Sequence, residues 1–89
     1  METPAHTGGR AIVVRVLFFG PLAESLGERE VQIPLAVGTK LAELITRLNL
    51  EEYASKGLRV ALDGNISSNY EVILEDHSEV AFLPPVSGG

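Results

Sequence analysis

Apolar and polar residues alternate along four stretches of this chain, and alternation with a period of two is typical of half-buried β-strands. These stretches cover residues 11–19, 28–35, 58–63 and 79–84. In the first stretch Arg15 is expected to face solvent, which places Val14, Val16 and Phe18 towards the core. A brief return strand is predicted at residues 66–67, directly after a Gly-Asn turn signal.

A different period, close to 3.6 residues, marks the main helix at residues 40–50. Its apolar positions follow the spacing i, i+3, i+4, i+7 at Leu41, Leu44, Ile45 and Leu48. Thr39, just before them, is the predicted N-cap. Pro21 and Gly27 bracket a short helix at residues 22–26, and residues 51–56 are predicted to add one more helical turn.

The order of these elements predicts an α+β fold of the ubiquitin-like β-grasp type, a mixed sheet with one main helix packed on one face. The first and last strands are then expected to be parallel neighbours at the centre of the sheet. The predicted domain covers residues 11–84. Residues 1–10 are polar and aperiodic, so they are expected to form a disordered extension, and residues 85–89 are expected to form a flexible tail.

The same alternation leaves several apolar side chains on the face of the sheet that the main helix does not cover. Exposed apolar patches of this kind usually mark contacts with a partner protein. The predicted partner interface consists of Leu17, Phe19, Ile66, Ala81 and Leu83.

The tail that follows the last strand begins with two conformationally restricted prolines and ends with two glycines. Pro84 and Pro85 fix two φ angles, whereas Gly88 and Gly89 carry no side chain. Fully extended from residue 85, the tail reaches roughly 16 Å at about 3.3 Å per residue. It could therefore enter a narrow channel in another protein, led by the α-carboxylate of Gly89.

Composition restricts the remaining chemistry. The chain has 89 residues, enough for one domain, and contains no cysteine, which excludes disulfides, thiolate metal sites and cysteine nucleophiles. Its net charge of -5 argues against a nucleic-acid partner. We find no membrane-spanning apolar run and no secretion signal, so a cytoplasmic location is expected. No metal ligand cluster or nucleophile–base set can be assembled, so a stand-alone enzyme is not expected.

Three segments, residues 16–24, 59–64 and 79–89, resemble the MoaD-type sulfur carriers, the small subunits of molybdopterin synthase. The most specific part is Pro84-Pro85-Val86-Ser87 before the terminal Gly88-Gly89. Two segments depart from the family pattern. The turn at residues 75–79 reads Glu-Asp-His-Ser-Glu, and residues 65–70 are atypical, which bears most on the assignment of Ile66.

The resemblance implies a role in molybdenum cofactor biosynthesis. An E1-like adenylyltransferase would use ATP to activate Gly89, and a sulfur donor protein would convert it to a thiocarboxylate. The tail would then enter the large catalytic subunit and give its sulfur to cyclic pyranopterin monophosphate. In this scheme Gly89 is the reactive site, the chain binds no cofactor, and the channel-binding residues are Pro84, Pro85, Val86, Ser87 and Gly88.

Other functions share the same features. A carrier with this tail could serve thiamine, cysteine or transfer-RNA thiolation instead. A ubiquitin-like modifier would attach its activated Gly89 to a lysine, and high-molecular-weight conjugates would reveal it. A plain interaction module with an idle tail would keep its function after deletion of Gly89.

Overall fold

The computed structural model describes residues 11–85, and the predictions for residues 1–10 and 86–89 lie outside this range. The described chain forms a five-stranded sheet and three short helices. The strands are β1 (Ala11–Phe18), β2 (Glu30–Ala36), β3 (Arg59–Leu62), β4 (Asn65–Ser67) and β5 (Glu79–Leu83). The helices are α1 (Gly20–Leu26), α2 (Leu41–Arg47) and α3 (Glu51–Ala54).

The strand order across the sheet is β2-β1-β5-β3-β4. Strands β1 and β5 are parallel neighbours at its centre, while the other pairs are antiparallel. This is the predicted mixed sheet of the β-grasp fold. Because β5 lies between β1 and β3, the chain leaves β5 from the middle of the sheet and not from an edge.

One face of the sheet is buried under the helices. The predicted alternation is confirmed in β1, where Val14 and Val16 are fully buried and Phe18 nearly so. Phe18 stacks on Phe82 of β5, with ring centroids 6.0 Å apart. Helix α2 contributes Leu41, Leu44 and Ile45 to the same core, and Leu74 packs into it from the connection before β5. Apolar contact across this face holds the helices on the sheet.

The start of the main helix differs from the sequence prediction. Lys40, not Thr39, is its N-cap. The hydroxyl of Thr39 donates backwards to the carbonyl of Ala36, which closes the turn after β2. The backbone N–H of Lys40 instead donates to the Glu43 carboxylate at 2.8 Å. The Glu43 carboxylate therefore accepts a backbone N–H at the start of the helix, where Thr39 was expected to supply the capping oxygen.

Several element boundaries also differ. The main helix was predicted to run through residue 50 but ends at Arg47, because Asn49 has a φ of 60° and α3 begins only at Glu51. Strand β1 ends at Phe18 and leaves Phe19 as the extended N-cap of α1, which begins at Gly20. Strand β2 starts and ends later than predicted, and β3 is one residue shorter at each end.

Candidate functional site

The helix-free face of the sheet carries a row of apolar side chains that crosses four strands. The register pairs Leu17 with Ala81, Ala81 with Ala61, and Ala61 with Ile66. Directly opposed residues in paired strands point to the same face, so these four side chains lie side by side. Three of them belong to the predicted interface, and the structure brings them together.

Two further predicted residues, Phe19 and Leu83, extend the row towards the end of β5. Leu83 lies on the same face as Ala81, two residues further along β5, and Phe19 follows the end of β1, the parallel neighbour of β5. Phe19 is 46% exposed and Ile66 is 58% exposed. We call the six side chains the apolar patch: Leu17, Phe19, Ala61, Ile66, Ala81 and Leu83.

Ala61 was missing from the predicted interface. It lies on the helix-free side of β3, where it pairs with Ala81. It is nevertheless only 8% exposed. Two adjacent alanines thus give the patch a low centre, while the larger side chains of Phe19 and Ile66 stand at its margins.

Beyond this patch the same face becomes charged. Arg15 is paired with Gln32 on one side and with Glu79 on the other. Its guanidinium contacts the Glu79 carboxylate at 3.2 Å and the Glu30 carboxylate at 3.5 Å. Asp63 accepts a hydrogen bond from the backbone N–H of Glu79 at 2.9 Å. We call Arg15, Gln32, Asp63 and Glu79 the charged row.

The root of the tail lies at the apolar end of this face. Pro84 is partly buried and Pro85 is exposed. Pro84 lies beside Gly20, and Pro85 lies beside Gly57. The other tail residues predicted to act, Val86, Ser87, Gly88 and Gly89, lie outside the described residues. The structure therefore shows where the tail starts and that the apolar patch lies next to its root.

The turn that departs from the family pattern has well-defined contacts. A carboxylate oxygen of Asp76 accepts the backbone N–H of Val13 at 2.8 Å, and the His77 N–H donates to the Val13 carbonyl. Ser78 is buried, and its hydroxyl accepts the N–H of Glu75. The turn thus extends the pairing of β1, and these side chains serve the fold.

Among residues 11–85, one titratable side chain has a clearly shifted pKa. The ammonium group of Lys40 donates to the Glu71 carboxylate at 3.0 Å. This hydrogen bond and the negative charge of Glu71 raise the pKa of Lys40 above its ordinary value of 10.5. The pair ties the start of α2 to the connection before β5. Within residues 11–85 we find no group of three potential ligand side chains that could hold a metal ion.

The sequence is also similar to those of known proteins. Residues 16–89 match the model of the ThiS family. The chain belongs to the ThiS family. This ThiS family member is 35% identical over 86 residues to the molybdopterin synthase sulfur carrier subunit of Caenorhabditis briggsae, a match that covers 88% of this chain and 99% of that protein.

Solved structures agree with this assignment. Subunits 1 and 2 of the molybdopterin-converting factor of Helicobacter pylori form a protein–protein complex, in which the matching chain is 30% identical with a TM-score of 0.64. The match covers 88% of this chain and 100% of the Helicobacter pylori chain. SAMP1 from Haloferax volcanii has a TM-score of 0.71 at 21% identity, covering 86% and 99% of the two chains. At this identity the second likeness shows the β-grasp fold alone.

No helix among residues 11–85 is long and apolar enough to cross a membrane.

Proposed function

We propose that this ThiS family protein is the sulfur-carrying small subunit of a molybdopterin synthase. The observation that carries the proposal is the position of the apolar patch, which extends to Leu83, the residue directly before the tail root at Pro84. A partner that covers Phe19 and Leu83 also receives the tail that follows Pro84 and Pro85. The relative from Caenorhabditis briggsae, a sulfur carrier subunit of this synthase, supports the same role.

The chemistry of the proposal is centred on the carboxylate of Gly89. A free carboxylate is a poor electrophile, so an E1-like adenylyltransferase first joins it to AMP from ATP, with release of pyrophosphate. A persulfide on a sulfur donor protein then attacks the carbonyl carbon, and AMP leaves. Reductive cleavage of the resulting S–S bond by a thiol leaves a thiocarboxylate on Gly89. This thiocarboxylate gives its sulfur to cyclic pyranopterin monophosphate.

The division of labour follows from the side chains that are present. The chain contains no cysteine, and the apolar patch offers no nucleophile or base. Docking is therefore assigned to the patch, sulfur delivery to the tail, and acid–base chemistry to the large subunit. The acidic net charge of -5 suits a large subunit whose surface around the contact is positively charged.

Intact-mass measurement tests the proposal directly. The full chain is incubated with ATP, a matching E1-like enzyme and a persulfide donor. The expected product is heavier by the difference between one sulfur and one oxygen atom, and fragmentation places the change at Gly89. Addition of the large subunit and the pterin precursor should then yield molybdopterin and restore the original mass.

Two results would contradict this function. An unchanged mass with an activating enzyme that loads another carrier would exclude the thiocarboxylate. Loaded protein that transfers no sulfur to the pterin precursor, but forms conjugates with lysines, would assign the chain to the protein modifiers.

Variants of the tail separate sulfur transfer from folding. Replacement of Gly88 by leucine, or extension of the chain past Gly89, should abolish molybdopterin formation because the narrow channel admits little more than backbone. The free energy of unfolding should stay unchanged, since the residues of the hydrophobic core lie between Ile12 and Phe82. Normal product formation by both variants would refute the tail mechanism.

A further inference from the structure

The five glycines among residues 11–85 all have positive φ angles, but they differ in what surrounds them. A Cβ atom built on Gly27, Gly38 or Gly64 would meet nothing in the described chain within 4 Å. At Gly20 a Cβ atom would lie 3.6 Å from Pro84. At Gly57 it would lie 3.4 Å from the Cβ atom of Pro85. The two glycines with a neighbour thus face the two prolines at the tail root.

The sheet topology places these glycines on opposite sides of the tail. Gly20 follows β1, and Gly57 precedes β3, and these are the two strands that flank β5. The chain leaving β5 therefore passes between the β1–α1 junction and the α3–β3 loop. Pro84 lies against the first and Pro85 against the second.

From this geometry we propose that Gly20 and Gly57 form a two-sided notch that sets the direction of the tail, with Gly57 as a positioning residue for sulfur delivery. The inference rests on the function proposed above. A Cβ atom at Gly57 would lie in van der Waals contact with Pro85, 3.4 Å from its Cβ and 3.8 Å from its Cγ, so a longer side chain in the rotamer that points to Pro85 would occupy the space of the proline ring. The notch needs glycine on that side for this reason as well as for its φ of +101°.

A small displacement of Pro85 is expected to produce a larger displacement of Gly89. The proline rings fix φ near −65°, so the root has little freedom to turn away from an added side chain. If a channel in the partner holds the four residues beyond Pro85 extended, at about 3.3 Å each, they span roughly 13 Å. A modest change of direction at Pro85 therefore moves Gly89 by more than about 1 Å, the scale on which misplaced reacting groups lose about 100-fold in rate.

The chain offers a matched pair of variants for the test. Asparagine tolerates positive φ better than other side chains, so Gly57→Asn is compared with Gly38→Asn. The two positions have similar φ angles, +101° and +95°, but only Gly57 has a neighbour among the described residues. Backbone strain should therefore be alike in the two variants, and unfolding experiments on both will check this.

The measured quantities are the single-turnover rate constant of sulfur transfer from thiocarboxylated protein and the Kd for the large subunit. For Gly57→Asn we expect a rate at least about tenfold lower than that of wild type. Its Kd should stay within about threefold, because the apolar patch is intact. Gly38→Asn should change both by less than about twofold, as expected for a surface site remote from the tail.

Equal rates for the two variants would overturn the notch. Equal and large losses of rate in both would also overturn it, since strain alone would then explain the effect. Gly20→Asn, compared with Gly27→Asn, repeats the test on the other side of the tail, where φ is +58° and +76°.

A structural readout keeps the notch distinct from the proposed function. Because the chain has no cysteine, Ser87→Cys gives a single attachment site for a nitroxide spin label. Gly57→Asn should redistribute the paramagnetic broadening among amides of α1 and β3, and Gly38→Asn should not. An unchanged pattern would overturn the notch even if wild-type protein transfers sulfur. A changed pattern in a protein that transfers none would uphold the notch and refute the proposed function.

Discussion

The apolar patch and the charged row occupy two halves of one sheet face, yet their side chains are satisfied differently. Arg15 in the charged row contacts two carboxylates of its own chain, and Asp63 accepts a backbone N–H. Phe19 and Ile66 in the apolar patch stay about half exposed, with no such internal compensation. The charged side chains are already paired within the chain, whereas a partner that covers the apolar side chains removes apolar surface from water and so stabilises the complex.

This difference locates the docking surface more sharply than exposure alone. Arg15 is about as accessible as Phe19 and Ile66, but a partner would have to replace its ion pairs to bind there. A partner on the apolar half removes only water. Variants in the two halves should therefore differ in how strongly they weaken binding of the proposed large subunit.

Phe19→Asp should give the largest effect. A charge buried at the margin of the patch should weaken binding by about 100-fold, the loss typical of an interface hot spot. The fold should not suffer, because Phe19 is the N-cap of α1, makes no side-chain cap bond, and aspartate is a better cap residue. Calorimetric titration and urea unfolding measure the two quantities.

The matched control for Phe19→Asp is Gln32→Asp, which adds the same charge to the charged row. Beside Arg15 the new carboxylate should be tolerated, and the Kd should change by less than about threefold. If both variants weakened binding equally, the added charge would explain the loss regardless of its position, and the patch would not be the contact.

Ala61→Leu should give a smaller effect through shape. The added carbons stand up from the low centre of the patch and hold a flat partner away, so we expect binding to weaken about tenfold although the surface becomes more apolar. The free energy of unfolding should change by less than about 1 kcal/mol, since the side chain points away from the core. Tighter binding of this variant would show that apolar area, and not shape, governs the contact.

Arg15→Ala should affect the charged half only. Loss of two partly exposed ion pairs should lower the free energy of unfolding by about 0.5 to 1 kcal/mol in dilute buffer, and by less in high salt. The Kd for the large subunit should change by less than about twofold. A large loss of affinity would place the charged row inside the interface and remove the contrast between the halves.

Glu71→Gln should have the smallest effect, away from both halves. Because Glu71 raises the pKa of Lys40, the pair stabilises the fold fully at pH values below 10.5 and loses this contribution as the pH rises through the raised pKa. Wild type should thus melt slightly above the variant at neutral pH, and the gap should close in strong alkali. A gap that widens with pH would contradict this linkage.

Period-two and period-3.6 patterns were sufficient to predict the sheet, the main helix and the placement of five patch residues. These patterns work because alternation along one strand already decides which face each side chain occupies. Arg15 made the assignment of β1 unambiguous, and the parallel β1–β5 pair followed from the order of the elements. The roles of the tail residues and of the patch in binding remain predictions.

Features that depend on contacts between distant parts of the chain were missed. Gly57 meets Pro85 only because β3 and β5 are paired, and a single sequence carries no signal for that contact. Ala61 was overlooked because its place between Ala81 and Ile66 follows from the strand pairing, which alternation along β3 does not reveal. The cap of α2 was misassigned because Thr39 had two hydrogen-bonding options, and its contact with Ala36 is decided by the turn after β2.

The central position of β5 has a mechanical consequence. A partner that grips the tail applies force along β5, which is hydrogen-bonded to β1 on one side and to β3 on the other. The ladder bonds run across the strand direction, so they share such a load together and do not break one after another. A pull on the tail, during binding or release of the partner, should therefore not unfold β5 residue by residue from its C-terminal end.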